Sequence, residues 1–146
     1  MSTTWFVSGI RTFVAALLLA AAAPALAHMA SHGELQVIHP WADPGEIASM
    51  VHPTLVNDGA SAIEIVDVST SVARDVSFVV GGRDVAGVTL EPGATLTPDN
   101  LAIRLGGLSA RLVIDDHFQM TLELAGGGRI DVHVMVGEMS TMMEMP

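Results

Sequence analysis

An all-β sandwich or barrel is the fold class this chain predicts, on three observations. Beyond residue 27, Gly and Pro recur roughly every eight to twelve residues, the spacing of turns in such folds. They separate short runs rich in Val, Ile, Leu and Thr, and no stretch holds a helical period for long. Several runs also alternate strictly between apolar and polar residues, as a strand with one face in a core must.

The amino-terminal 27 residues stand apart. They carry one charge, Arg11, then the apolar run 13–23 and the small-residue pattern Ala25-Leu26-Ala27. That order is the order of a secretory signal peptide, and the run is short for a spanning helix. Cleavage is expected after Ala27, leaving about 119 residues, enough for one core and too few for two. The expected organisation is a leader over 1–27, a short mature terminus over 28–33, one β-domain over 34–136 and a tail over 137–146. No other run is long and apolar enough to span a bilayer after leader removal, so the expected location is the periplasm or outside the cell.

Strands are expected over 34–38, 48–57, 62–70, 75–80, 86–90, 95–96, 101–105, 118–124 and 129–136. Asn57-Asp58-Gly59 and Gly126-Gly127-Gly128 are the clearest turns, because their residues tolerate positive φ between alternating runs. In 48–57, Val51 and Leu55 share a phase with Ile47, while Met50, His52 and Thr54 occupy the other face. In 118–124, Met120 shares its face with Phe118, Leu122 and Leu124 and is expected in the core. In 129–136, Ile130, Val132, Val134 and Val136 point inward and Arg129, Asp131, His133 and Met135 outward. The tail, GEMSTMMEMP, has no pattern that would pack.

Charge narrows the partners. After the leader there are five arginines, no lysine and sixteen carboxylates. Such an excess of negative charge repels phosphate backbones and anionic membrane surfaces, which excludes nucleic acid and leaves cations as natural partners. The chain has no cysteine, hence no disulfide framework and no thiol nucleophile. It also lacks a G-x-S-x-G elbow, a phosphate-cradling glycine loop and an H-E-x-x-H helix, so no enzymatic activity is expected.

Eight of nine methionines and all six histidines lie beyond residue 27. Thioether and imidazole are the donors that hold copper where thiols would be oxidised, and their softness suits Cu(I). Three groups stand out. Met50 and His52, with His133 and Met135, would make a His2Met2 set if their two strands were neighbours. His28 would become the amino terminus, offering amine and ring nitrogen to Cu(II), with His32 nearby. Met139, Met142, Met143 and Met145, set among acidic residues, could wrap Cu(I) and exchange it with a copper-receiving periplasmic or membrane protein. His39, ahead of Pro40-Trp41, reads as packed or structural. His117, after Asp115-Asp116, reads as a solvent-exposed strand start.

Several segments together resemble the periplasmic copper chaperone family PCu(A)C across roughly 34–136. They are Pro40-Trp41-Ala42-Asp43, Thr54-Leu55-Val56-Asn57-Asp58-Gly59, Leu90-Glu91-Pro92-Gly93-Ala94 and Leu105-Gly106-Gly107-Leu108. The resemblance implies a cupredoxin-like Greek-key β-sandwich that binds Cu(I) and delivers it toward the copper centre of cytochrome oxidase. It also implies a divergent member. The family's His, its Met about ten residues later and its H-x-M pair fall on Val79, Thr89, Ala102 and Arg104, none of which binds copper. Two expectations follow: a copper chaperone or buffer whose ligands have moved to the His and Met residues above, or a metal-free interaction or assembly module on the same fold.

Overall fold

The computed structural model describes residues 29–137, with 29–32 placed as backbone only. Eleven strands occupy the described residues: β1 (Met29–His32), β2 (Leu35–Ala42), β3 (Ala48–Asn57), β4 (Ile63–Thr70), β5 (Ala73–Val80), β6 (Arg83–Val85), β7 (Val88–Leu90), β8 (Thr95–Leu96), β9 (Leu101–Leu108), β10 (His117–Leu124) and β11 (Arg129–Val136). They run in the order β6-β5-β9-β3-β2-β11-β10-β4-β7, with β1 against β2 and β8 against β3. β4 pairs with β10 and β5 with β9, although β4 and β5 are consecutive in the chain. The sheet therefore wraps over itself, and its inward residues close one core.

Alternation decides which residues fill that core. Val132 and Val134 on β11, Met120 and Leu122 on β10, Val51 and Leu55 on β3, and Ile103 and Leu105 on β9 are all buried. Each such side chain contributes about 1.5–3 kcal/mol by leaving water. Ile47 departs from the expected phase. It is 79% exposed, because β3 opens only at Ala48 and the preceding loop is pinned by reciprocal backbone hydrogen bonds between Gly45 and Leu112. Period two holds inside the strand and fails one residue before it.

Two local devices position the outer face. Gly126 and Gly127, at φ 90° and 92°, let β10 and β11 reverse tightly. The resulting register is centred on Gly126 and sets His117 opposite Met135, Gln119 opposite His133 and Glu123 opposite Arg129. The second device lies in β2, which was expected to end at Ile38 but continues to Ala42. Between Ile38 and Trp41 the register with β3 shifts by one residue, with His39 at φ 43°. One strand gains a residue over its partner there, which is a β-bulge. Leu35 and Val37 face the core before the bulge; after it Ala42 does, and Trp41 faces outward beside His52.

Candidate metal centre

The expected donors fall into two groups on the outer face. His52 on β3 is the register partner of Trp41 on β2, and Trp41 is in turn the partner of Met135 on β11. β2 thus lies between β3 and β11, and two strand spacings put His52 and Met135 about 10 Å apart at the backbone. Met50 lies further off, paired with Arg104 of β9. The Met50/His52 pair and the His133/Met135 pair share a side of the sheet, with β2 between their strands.

His52 is held in place by its neighbours. Its Nε2 lies 3.0 Å from Asp43 Oδ2, and its ring stacks on the Trp41 indole at a centroid distance of 4.2 Å and an interplanar angle of 30°. Asp43 is itself fixed through its carbonyl oxygen, which accepts a 2.6 Å hydrogen bond from Ser49 Oγ.

His133 and Met135 find a different third member, His117. His117 Nδ1 and His133 Nε2 are 3.2 Å apart, with the rings edge to face at a centroid distance of 5.1 Å. One ring's N–H donates to the other's lone pair. A metal held by both nitrogens at about 2.0 Å would subtend roughly 106° across that gap, within the range of trigonal and tetrahedral sites, once the rings turn their lone pairs toward it. Met135 stands directly across from His117 and two residues along the same face from His133. By register, two imidazoles and one thioether thus lie on the outer face of the β10–β11 hairpin. Among the described residues no group of three or more His, Cys, Asp or Glu side chains could hold a metal.

The remaining expected donors are placed in part or not at all. His32 is described only as backbone, paired with Leu35. His28, Met139, Met142, Met143 and Met145 lie outside the described residues. The last described residue, Gly137, donates its N–H to Ala42 O, which fixes the start of the tail beside β2 and two residues past Met135.

A family model matches residues 22–136, nearly the whole described domain. The chain belongs to the LpqE-like family. A search of curated protein sequences returned no significant match. Among solved structures, the LpqE-like chain is similar to the apo PCuAC domain of PmoF1, at 20% identity, with a TM-score of 0.68 over 75% of this chain and 98% of that one. It is similar as well to the copper-bound PCuAC domain from PmoF2, at 21% identity and a TM-score of 0.67, covering 75% of this chain and 97% of that one. A third is the Cu(I) form of DR1885 from Deinococcus radiodurans, at 20% identity and 0.58, covering 70% and 79%. These likenesses show the fold, all-β and cupredoxin-like, that the sequence resemblance implied.

The positions onto which PCu(A)C ligands were projected do not fit copper. Val79 and Ala102 are direct partners across β5 and β9, with Arg104 two residues along. Arg104 Nη1 donates to Asp84 Oδ2 at 3.1 Å. A guanidinium has donors and no lone pair to give a metal, and its fixed charge repels a cation. Thr89 stands elsewhere, on β7 opposite Glu64, at the other end of the strand path. The side chain that meets Arg104 is Asp84 on the short strand β6, which lies outside the expected strands.

Proposed function

We propose that this LpqE-like chain is an exported copper-binding protein that carries or buffers Cu(I), with His117, His133 and Met135 as its principal site. The carrying observation is the 3.2 Å approach of two imidazole nitrogens beside an outward-facing thioether. Two nitrogens and one soft sulfur suit a monovalent copper ion, which is content with few ligands and irregular geometry. None of the three donors carries charge when binding, so the ion is held without a thiolate and can leave by ligand exchange. Surface placement supports that route, since a partner's donor can approach without the fold opening.

In this reading the leader over 1–27 directs export, and Met139, Met142, Met143 and Met145 capture or pass on the ion close to where the tail leaves Gly137. His52 and Met50 stand outside the principal set. The likeness to copper-bound PCuAC domains supports copper as the cargo, while the Arg104–Asp84 pair argues for a site away from the projected family position. The receiving partner would be a periplasmic or membrane copper protein.

The test is a Cu(I) titration against a competing chelator. The parent protein should bind at least one equivalent, and His133→Ala or His117→Ala should remove the tight site. Failure of the parent to compete at all would leave a metal-free interaction module as the better reading.

A further inference from the structure

We infer that the segment 138–146 folds back as a strap over the end of the domain from which it leaves, its methionines covering Val113, Ile114 and Ile47. Copper plays no part in this contact, which is tested in metal-free protein. The first observation is where apolar surface is left over. Among the described residues the exposed large apolar side chains are Ile47, Val66, Val113 and Ile114, and all but Val66 lie in the two loops at this end. Val113 and Ile114 are consecutive in a turn, where Gly, Pro, Asn, Asp and Ser are the usual residues.

The second observation is that this turn is fixed. Asp116 N donates to Val113 O at 3.0 Å and Val113 N donates to Asp116 Oδ2 at 2.9 Å. Asp115 is held in the left-handed region at φ 77°, which a residue with a side chain seldom adopts. The backbone is locked while two apolar side chains stay in water.

Third, the same turn is sewn to the root of the tail. Asp115 N donates to Val136 O at 3.0 Å and Val136 N to Asp116 O at 2.8 Å, while Gly137 N donates to Ala42 O at 3.0 Å. β11 therefore ends between two segments, 113–116 and 42–45. These then join through reciprocal hydrogen bonds between Gly45 and Leu112, and Leu112 is packed in the core beneath. The chain cannot run on between them and must rise over the outside of that junction. Val113 and Ile114 flank the junction on one side, and Ile47 follows Gly45 on the other. Nine residues follow Gly137, a length that spans up to about 30 Å and is ample for the crossing. Methionine fits irregular apolar surface without needing a regular strand or helix. Glu138 and Glu144 can stay in water while the thioethers are covered.

The test is methyl NMR of the full chain, which has no cysteine, so Met142→Cys accepts a single nitroxide label. The label should broaden the methyl signals of Ile47, Val113 and Ile114 and spare Val66 on β4. A tethered label broadens nearby signals even without docking, so the deciding variant is Val113→Ser with Ile114→Ser. Removing that apolar surface should shift the docking equilibrium on the order of tenfold, read as loss of most of the broadening at Ile47. Both residues are exposed, so the urea midpoint should hold. Replacing Met139, Met143 and Met145 with serine in the labelled chain should release the strap from the other side. Broadening at Ile47 that is unchanged in both variants overturns the inference. Equal broadening in an unlabelled, isotope-enriched chain mixed with the labelled one would give the patch to a second copy, and overturns it as well.

Discussion

Replacing Asn57 with alanine should destabilise the domain more than almost any other polar substitution. Asn57 is fully buried at the end of β3. Its Nδ2 donates to Ser61 O at 2.8 Å and Leu90 O at 3.0 Å, and its Oδ1 accepts from Gly59 N at 3.0 Å. One side chain thus ties the β3–β4 turn to β7. Three hydrogen bonds at about 1 kcal/mol each give a loss near 3 kcal/mol, a large share of the ~5–15 kcal/mol typical of a domain. With a urea slope near 1.5 kcal/mol per molar, the midpoint should fall by roughly 2 M. Asn57→Asp sharpens the reasoning. It keeps the acceptor and the shape but turns the donors into an oxygen facing two carbonyls, so at neutral pH it should be no better than alanine. Its carboxyl would titrate above the unfolded value, because burial and the carbonyl dipoles penalise the anion and the protonated form can donate once. The deficit should therefore shrink as pH falls through that folded-state titration. A loss below about 1 kcal/mol for Asn57→Ala, or full stability for Asn57→Asp at neutral pH, would refute the account of this turn.

Two further outcomes follow from the same structure. Met120, 1% exposed between β4 and β11, should cost about 2–5 kcal/mol as Met120→Ala in urea denaturation, with Cu(I) binding preserved in the folded fraction. Val79→His, Ala102→His and Arg104→Met together should build a second Cu(I) site, since Val79 and Ala102 already face one another across β5 and β9; chelator competition in a His133→Ala background should register it.

Much of the fold was legible because period two and turn chemistry agree. The inward set on β11 and the core position of Met120 follow from alternation alone. What escaped was short or irregular. β6 is a three-residue strand carrying Arg83 and Asp84 between glycines, too brief and too charged to signal a strand. The strand expected over 34–38 stops short of His39-Pro40; β2 instead absorbs both in a bulge, and no local pattern announces a histidine in the left-handed region.

The site divides the same way. His133 and Met135 were placed on an open face by phase. In sequence His117 reads only as an exposed strand start, although a hairpin reversing at Gly126 puts residue 117 opposite 135. The outward turn of Trp41 beside His52 was out of reach, because simple alternation assigns Trp41 to the core. The separation of His52 from Met135 was equally hidden: β2 enters between β3 and β11 through a parallel pairing, and sequence adjacency says nothing of such a neighbour.

Histidine-ring and methionine-methyl NMR during a Cu(I) titration tests the central claim most directly. The account predicts that the rings of His117 and His133 and the methyl group of Met135 shift together and saturate at the same equivalent, ahead of any tail methionine. Saturation at the tail methionines with His117 and His133 unmoved would contradict it.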